Sequence, residues 1–264
     1  MPRDPLEAGR ERILRKLRVG GSASVRELQE ELGVSMVTVH RHLARLESEG
    51  LITRPRGGAR LRSGAAIDLD FEHRLAAHAE HKMAIARSAV EVVPTTGSVF
   101  VDASTTTLFA VREIEKRLGG NLTIVTTSPA VLRTFSSSSI RVVAAPGELD
   151  PTLRAILGPW TVEFLEGLNV QTALISGVGI TLDGGLTTSH RQLADVLRQV
   201  VRRIPEVYIL IDSTKFGHTA LLNIVEPWLV AGVITDAGLD ALQAAAFRAR
   251  GVNLIVAEER SSST

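Results

Sequence analysis

The 264-residue sequence contains no cysteine. That absence excludes disulfides, thiolate metal sites and a cysteine nucleophile, and it fits a reducing compartment. Aromatic residues make up only 4% of the chain, so a core must be assembled from Leu, Val, Ile and Ala. No run approaches the ~18 apolar residues of a membrane-spanning helix. The N-terminal MPRDPLEAGR likewise holds no apolar stretch of the kind a signal peptide carries. These absences predict a soluble, cytoplasmic protein with no membrane partner. A dominant charge is missing too, the net being +1, but its distribution is uneven. Residues 1–62 carry 13 Lys/Arg against 8 Asp/Glu, a net +5; residues 63–264 carry 17 against 21, a net −4. A basic first quarter on a mildly acidic remainder predicts two parts, the first suited to a polyanion.

Three helical patterns fit the basic part. Arg10 to Arg18 places Ile13, Leu14 and Leu17 on one face. A second helix starts after Ser24, an N-cap, and carries Val25, Leu28 and Leu32. Gly33 supplies the turn, and Ser35 caps a third helix in which Val39, Leu43 and Leu46 recur at helical spacing. This is a helix-turn-helix layout, with the third helix available for the major groove of DNA. LITRPRGGARLR then reads as two short strands around a Gly-Gly turn, a wing lined with arginine. The predicted DNA-facing residues are Ser24, Ser35, Thr38, His40, Arg41 and Arg45, with Arg54, Arg56 and Arg60 from the wing. Arg41 suits guanine edges or phosphate, and Ser35 and Thr38 suit phosphate oxygens or thymine methyls. His40 and His42 are two residues apart on a helix and point in different directions, so they do not form a metal site.

The run RILRKLRVGGSASVRELQEELGVSMVTVHRHLARLESEGLITRPRGGA resembles the N-terminal winged helix of DeoR-type bacterial transcriptional regulators. His42 stands where that family usually has an acid after the recognition-helix arginine, a departure that bears on operator sequence. Residues 1–62 are expected to form this domain, residues 63–70 (SGAAIDLD) a linker, and residues 71–264 a second domain. A helix is expected from Phe71 toward Val93, with His78 and His81 facing solvent.

The second part alternates apolar, β-branched runs with helical patterns. The runs are SVFVD, LTIVTT, IRVVAA, TALISG, VYILID, VAGVITD and NLIVA. The helices are Thr105–Leu118, Pro159–Leu168, Gln192–Ile204 and Leu239–Arg250. This predicts an α/β fold with a mostly parallel sheet, whose ligands gather beyond the carboxyl ends of the strands. Three loops there attract phosphate. Asp102 ends a strand, and Ser104, Thr105, Thr106 and Thr107 open the next helix, where free amides and a partial positive charge favour an anion. GITLDGGLTT offers Asp183, Gly185, Thr187 and Thr188, and IDSTKFG offers Asp212 and Lys215. No GxxxxGK[ST] loop is present, so ATP and GTP are not expected, and no cofactor is implied.

DASTTT, PGEL, GGLTT and DSTKFG also resemble the effector-domain signatures of DeoR-type regulators. The resemblance implies a sensor similar to ribose-5-phosphate isomerase. In it Lys82, Thr105, Thr106, Thr107 and Lys215 would hold the phosphate of a sugar-phosphate effector, and Asp102 and Asp183 would face its hydroxyls or carbonyl. An isomerase needs a carboxylate base and a cation or donor at the oxygen. Val178 occupies the carboxylate position of the related enzymes' Gly-Ala-Asp turn. Asp195 can stand for the family's Glu in the helix after GGLTT, but Leu197 replaces the expected lysine. The resulting expectation is a repressor of a carbohydrate-metabolism operon that binds double-stranded operator DNA as a dimer or tetramer. A sugar-phosphate isomerase with an attached DNA-binding domain is the alternative, and an oligomerisation scaffold with an empty pocket the third reading.

Overall fold

The computed structural model describes residues 9–258 apart from 11, 15, 18–21, 49–51, 56, 62–64, 119–120 and 136–139. The chain divides into two compact units, Met1–Glu72 and His73–Thr264. Among the described residues no helix is long and apolar enough to cross a membrane.

Polar punctuation sets the elements of the first unit. Ser24 Oγ accepts the Glu27 amide at 3.2 Å while the Ser24 amide donates to Glu27 Oε2 at 2.7 Å, a capping box that starts the helix Val25–Leu32. Gly33 ends that helix in the left-handed region, with φ 68°. Ser35 accepts the Thr38 amide at 3.3 Å and opens the helix Met36–Ser48. Strands β1 (Ser22–Ser24), β2 (Ile52–Thr53) and β3 (Gly58–Leu61) pair antiparallel in the order β1-β3-β2. The wing therefore has the two expected strands and a third, β1, that the sequence pattern does not announce. Ile13, Leu14 and Leu17 join Leu28, Val39, Leu43, Leu46 and Ile52 in one core.

The second unit contains β4 (Gly97–Val101), β5 (Leu122–Thr126), β6 (Arg141–Ala144), β7 (Glu148–Asp150), β8 (Ala155–Leu157) and β9 (Thr172–Ile175). These are followed by β10 (Gly179–Thr181), β11 (Gly185–Thr188), β12 (Glu206–Leu210), β13 (Leu222–Val225), β14 (Gly232–Asp236) and β15 (Leu254–Ala257). Seven form one wholly parallel sheet in the order β15-β14-β12-β9-β4-β5-β6, and they are the seven apolar runs of the sequence. From β4 the chain builds outward to β6, then returns to the other side of β4 at β9 and builds outward again. The strand order thus reverses between β4 and β9, which opens a crevice at their carboxyl ends. Phe100, Ile175, Val196, Ile209 and Val233 belong to the core beneath it.

Two segments differ from expectation. GITLDGGLTT is a hairpin, β10 paired antiparallel with β11, and β11 pairs in turn with β13. Gly185 is required at its turn: φ is 68°, and a Cβ would lie 2.4 Å from Asn223 Nδ2. The helix expected from Phe71 is two helices, Ala65–Ala76 and Ala79–Val90, and the first starts inside the stretch expected to be a linker. The break falls at His78, whose backbone is left-handed (φ 52°). The ammonium of Lys82 holds the break by donating to the carbonyls of Arg74 and Ala77 at the end of the first helix.

Candidate functional site

In the first unit, the Met36–Ser48 helix turns Val39, Leu43 and Leu46 inward and leaves Met36, Val37, His40, Arg41, Ala44 and Arg45 exposed. Arg41 makes no hydrogen bond or ion pair among the described residues. Arg54 of the wing is tied to this helix, its Nη2 lying 2.9 Å from His40 Nδ1 and its Nη1 3.8 Å from Glu47. Arg60 is exposed on β3. Ser24 and Ser35 are engaged as helix caps, and Thr38 Oγ1 lies 3.0 Å from Ser35 Oγ. Arg56 lies outside the described residues. His42 is buried, so the departure from the acid expected there is not on the DNA-facing side. A Cβ on Gly9 would come within 2.9 Å of its Nε2, and burial, with Arg41 and Arg10 adding to it, lowers its pKa.

In the second unit, a cavity of about 180 Å³ occupies the crevice beside β4 and β9. Its walls include Lys82, Asp102, Ser104, Thr105, Ser176, Thr188, Asp212, Thr214 and Lys215, with Leu153, Ala155, Val178 and Leu193 as apolar neighbours. Asp102 is fully engaged. Its Oδ1 accepts from the Ser104 amide at 2.9 Å and Thr107 Oγ1 at 2.7 Å, and its Oδ2 accepts from the Ser176 amide at 2.8 Å. Burial pushes its pKa up, against these donors. Lys82 is 3% exposed, and that burial, abetted by Lys215 and Arg74 and opposed by Asp212, brings its pKa from 10.5 to about 8. Lys215 Nζ lies 3.6 Å from Asp212 Oδ2 and donates to the Gly177 carbonyl at 3.1 Å. Burial pushes Asp212 up, but the Thr214 hydroxyl and the neighbouring Lys215, His78 and Lys82 outweigh it and leave the pKa below the ordinary value.

The four hydroxyls of STTT are therefore not equivalent. Ser104 Oγ accepts the Thr107 amide at 3.1 Å and caps the helix Thr105–Arg117. Ser104 and Thr105 line the cavity, whereas Thr106 and Thr107 do not; Thr107 is committed to Asp102, and the buried Thr106 hydroxyl has no partner among the described residues. In the hairpin Thr188 lines the cavity, but its neighbour Thr187 points to the other face and donates to the Gly179 carbonyl at 3.0 Å. Asp183 is exposed in the hairpin turn, and neither it nor Gly185 reaches the cavity. Ser176, absent from the sequence-level set, lines the cavity and is 2% exposed, and its buried Oγ has no hydrogen-bond partner among the described residues. Its signal was available: it follows strand β9 as Asp102 follows β4. His78 lies on the cavity rim, and His81 Nδ1 sits 3.1 Å from Asp236 Oδ2, so the pair is not simply solvent-facing. The same carboxylate accepts from the Ser213 amide at 2.7 Å and hydroxyl at 2.8 Å, fixing the turn that carries Lys215. Val178 stands half-exposed on the cavity wall, Leu197 is buried in the core, and Asp195 pairs with Arg198 at 3.7 Å away from the cavity.

Two family models match this architecture, the DeoR-like helix-turn-helix domain over residues 10–64 and the DeoR C terminal sensor domain over residues 77–237. The chain belongs to the DeoR family. Its DeoR-family relatives include the glycerol-3-phosphate regulon repressor of Escherichia coli K12, 30% identical over 85% of this chain and 88% of the relative. The HTH-type transcriptional regulator GlpR of Haloferax volcanii is 28% identical over 92% and 95%. The lactose phosphotransferase system repressor of Lactococcus lactis is 27% identical over 86% and 89%. Among solved structures, ribose 5-phosphate isomerase A of Methanocaldococcus jannaschii superposes with a TM-score of 0.38 at 16% identity, covering 51% of this chain and 53% of that one. Family and relatives are regulators of transcription, and this DeoR-family chain is a regulator rather than an enzyme.

Proposed function

We propose that this DeoR-family regulator is a repressor that binds operator DNA through its winged helix as a homo-oligomer and senses a phosphorylated sugar in the cavity at the sheet reversal. One observation carries the effector reading. Two lysines, Lys82 and Lys215, and the N-terminus of the Thr105–Arg117 helix converge on a cavity also lined by Ser176, whose hydroxyl has no partner among the described residues. The cations and the helix end suit a phosphate. Asp212, Thr188 and Ser176 suit the hydroxyls of a polyol. Val178 at the cavity wall cannot move a proton, in keeping with a pocket that binds without converting. The names of two relatives, repressors of a glycerol-3-phosphate regulon and of a lactose phosphotransferase system, support a phosphorylated carbohydrate as effector. A repressor of palindromic operators acts as a symmetric oligomer, dimer or tetramer.

Thermal unfolding against a panel of triose, pentose and hexose phosphates tests the reading. A ligand at 100 times its dissociation constant adds about 2.7 kcal/mol of stability. The same ligand is expected to change affinity for operator DNA, because an effector must bind the two states unequally to shift them. A panel with no stabilising member, or a stabilising member without effect on DNA binding, would count against it.

A further inference from the structure

We infer that Val37, supported by Ala44, reads a thymine methyl group in the operator's major groove, beside a base contacted by Arg41. This rests on the DNA-binding reading above.

Val37 is 79% exposed and Met36 50% exposed, at the start of a helix whose opposite face is core. A single exposed apolar residue is ordinary; the placement of this one is not. At about 100° per residue, Val37, Arg41, Ala44 and Ser48 fall within about 60° of one another. Val39 and Leu46 lie about 160–180° from Val37 on the same wheel, and both are buried. Val37 is thus at the crest of the helix, as far from the core as this helix can place a side chain.

The polar groups beside that crest are already engaged. Thr38 is joined to Ser35, and His40 to Arg54 at 2.9 Å. The strip left to meet base edges is Val37, Arg41 and Ala44: two apolar side chains around a guanidinium without a partner among the described residues. In the major groove only thymine presents a methyl group, and small apolar side chains recognise it by contact. Arg41 beside them can take the O6 and N7 acceptors of a guanine. The side chains expected from polarity alone to choose the sequence are in part occupied inside the protein, and the apolar pair supplies the missing selectivity.

The experiment begins with full-length protein selecting duplexes from a random pool. The selected site is then resynthesised with each thymine replaced singly by deoxyuridine, which removes the methyl group and keeps every hydrogen bond. Wild-type protein is expected to lose about fourfold in affinity at one thymine of each half-site, the worth of one buried methyl group. V37A is expected to bind the thymine duplex several-fold more weakly and to lose nothing further on that deoxyuridine duplex. Additive losses in the V37A cycle, or wild-type binding indifferent to every deoxyuridine, would overturn the inference while leaving DNA binding intact. A pool from which no sequence is enriched would remove the DNA-binding reading and the inference together.

Discussion

Asp102 and Ser176 meet across the one place where the large sheet reverses its strand order. The amide of Ser176, at the end of β9, donates to Asp102 Oδ2, at the end of β4, at 2.8 Å. This bridge adds a side-chain tie between the two strand ends to the backbone bond that the Asp102 amide donates to the Leu174 carbonyl at 3.2 Å. The carboxylate is there to hold the walls, since both its oxygens are already occupied by protein donors.

Replacing Asp102 by Asn tests that role. An amide group would turn a donor toward the Ser176 amide on one side, or toward the Ser104 amide on the other. A buried mismatch of this kind costs about 1–3 kcal/mol. For a unit of this size that corresponds to roughly 2–4 °C in melting temperature per kcal/mol. A D102N variant that melts like the parent would mean the bridge does not set the crevice.

Effector affinity is expected to depend on pH from both sides. A phosphate monoester gains its second charge with a pKa near ~6, so binding strengthens as pH rises through that value. Lys82, with its pKa near 8, loses its charge as pH rises further, and binding weakens. Above that pKa, ligand binding takes up a proton, which calorimetry in buffers of different ionisation enthalpy detects. K82M should bind more weakly and lose the alkaline limb. An unchanged limb in that variant would assign the titration to another group.

Thr105 and Thr106 are adjacent but predict opposite results. T105V removes a hydroxyl from the cavity wall and should weaken effector binding by about tenfold, the worth of a hydrogen bond to a charged group; S176A, which faces a neutral hydroxyl, should weaken it by about fivefold. T106V exchanges a buried hydroxyl without a partner among the described residues for a methyl. It should leave effector affinity unchanged and raise stability by up to about 1 kcal/mol. Titration calorimetry and denaturant melts separate the two; equal losses of affinity would return all four hydroxyls to the same role.

The winged helix should weaken in acid through His42. Its pKa is lowered in the folded state, so below pH 6.5 the unfolded chain binds a proton that the folded chain refuses. Stability is therefore fully present above 6.5 and lost as pH falls through the lowered value. H42L should reduce this acid sensitivity, measured as the midpoint of the first unit's unfolding between pH 7 and pH 5. A variant as acid-sensitive as the parent would contradict it.

What could be read from the sequence was the part written in continuous pattern. Seven β-branched runs became seven parallel strands because most of them are buried on both faces, which leaves an unbroken apolar signature; the edge strand β6, with Arg141 and Ala144 exposed, is the exception. β11 and β13 escaped notice because their residues, Gly185–Thr188 and Leu222–Val225, are few and pair across a long separation. The break at His78 was hidden because the residues on both sides keep helical character, and the groups that hold it, Lys82 and the carbonyls of Arg74 and Ala77, are joined only by folding. The loops that line the cavity were legible as strand ends rich in hydroxyl and charge. Which hydroxyl faces the cavity was not, since Thr187 and Thr188 differ by the alternation of a strand that the sequence reads as a loop.

The position of Lys82 has a mechanical consequence. One ammonium closes the end of the Ala65–Ala76 helix, which carries the chain across the boundary between the two units, and the same ammonium stands in the wall of the cavity. An anion in the cavity and the helix end are rival claimants to a single charge. Attraction that an anion exerts on Lys82 would be withdrawn from the break at His78, so one charge both meets the ligand and sets how firmly the end of that helix is closed.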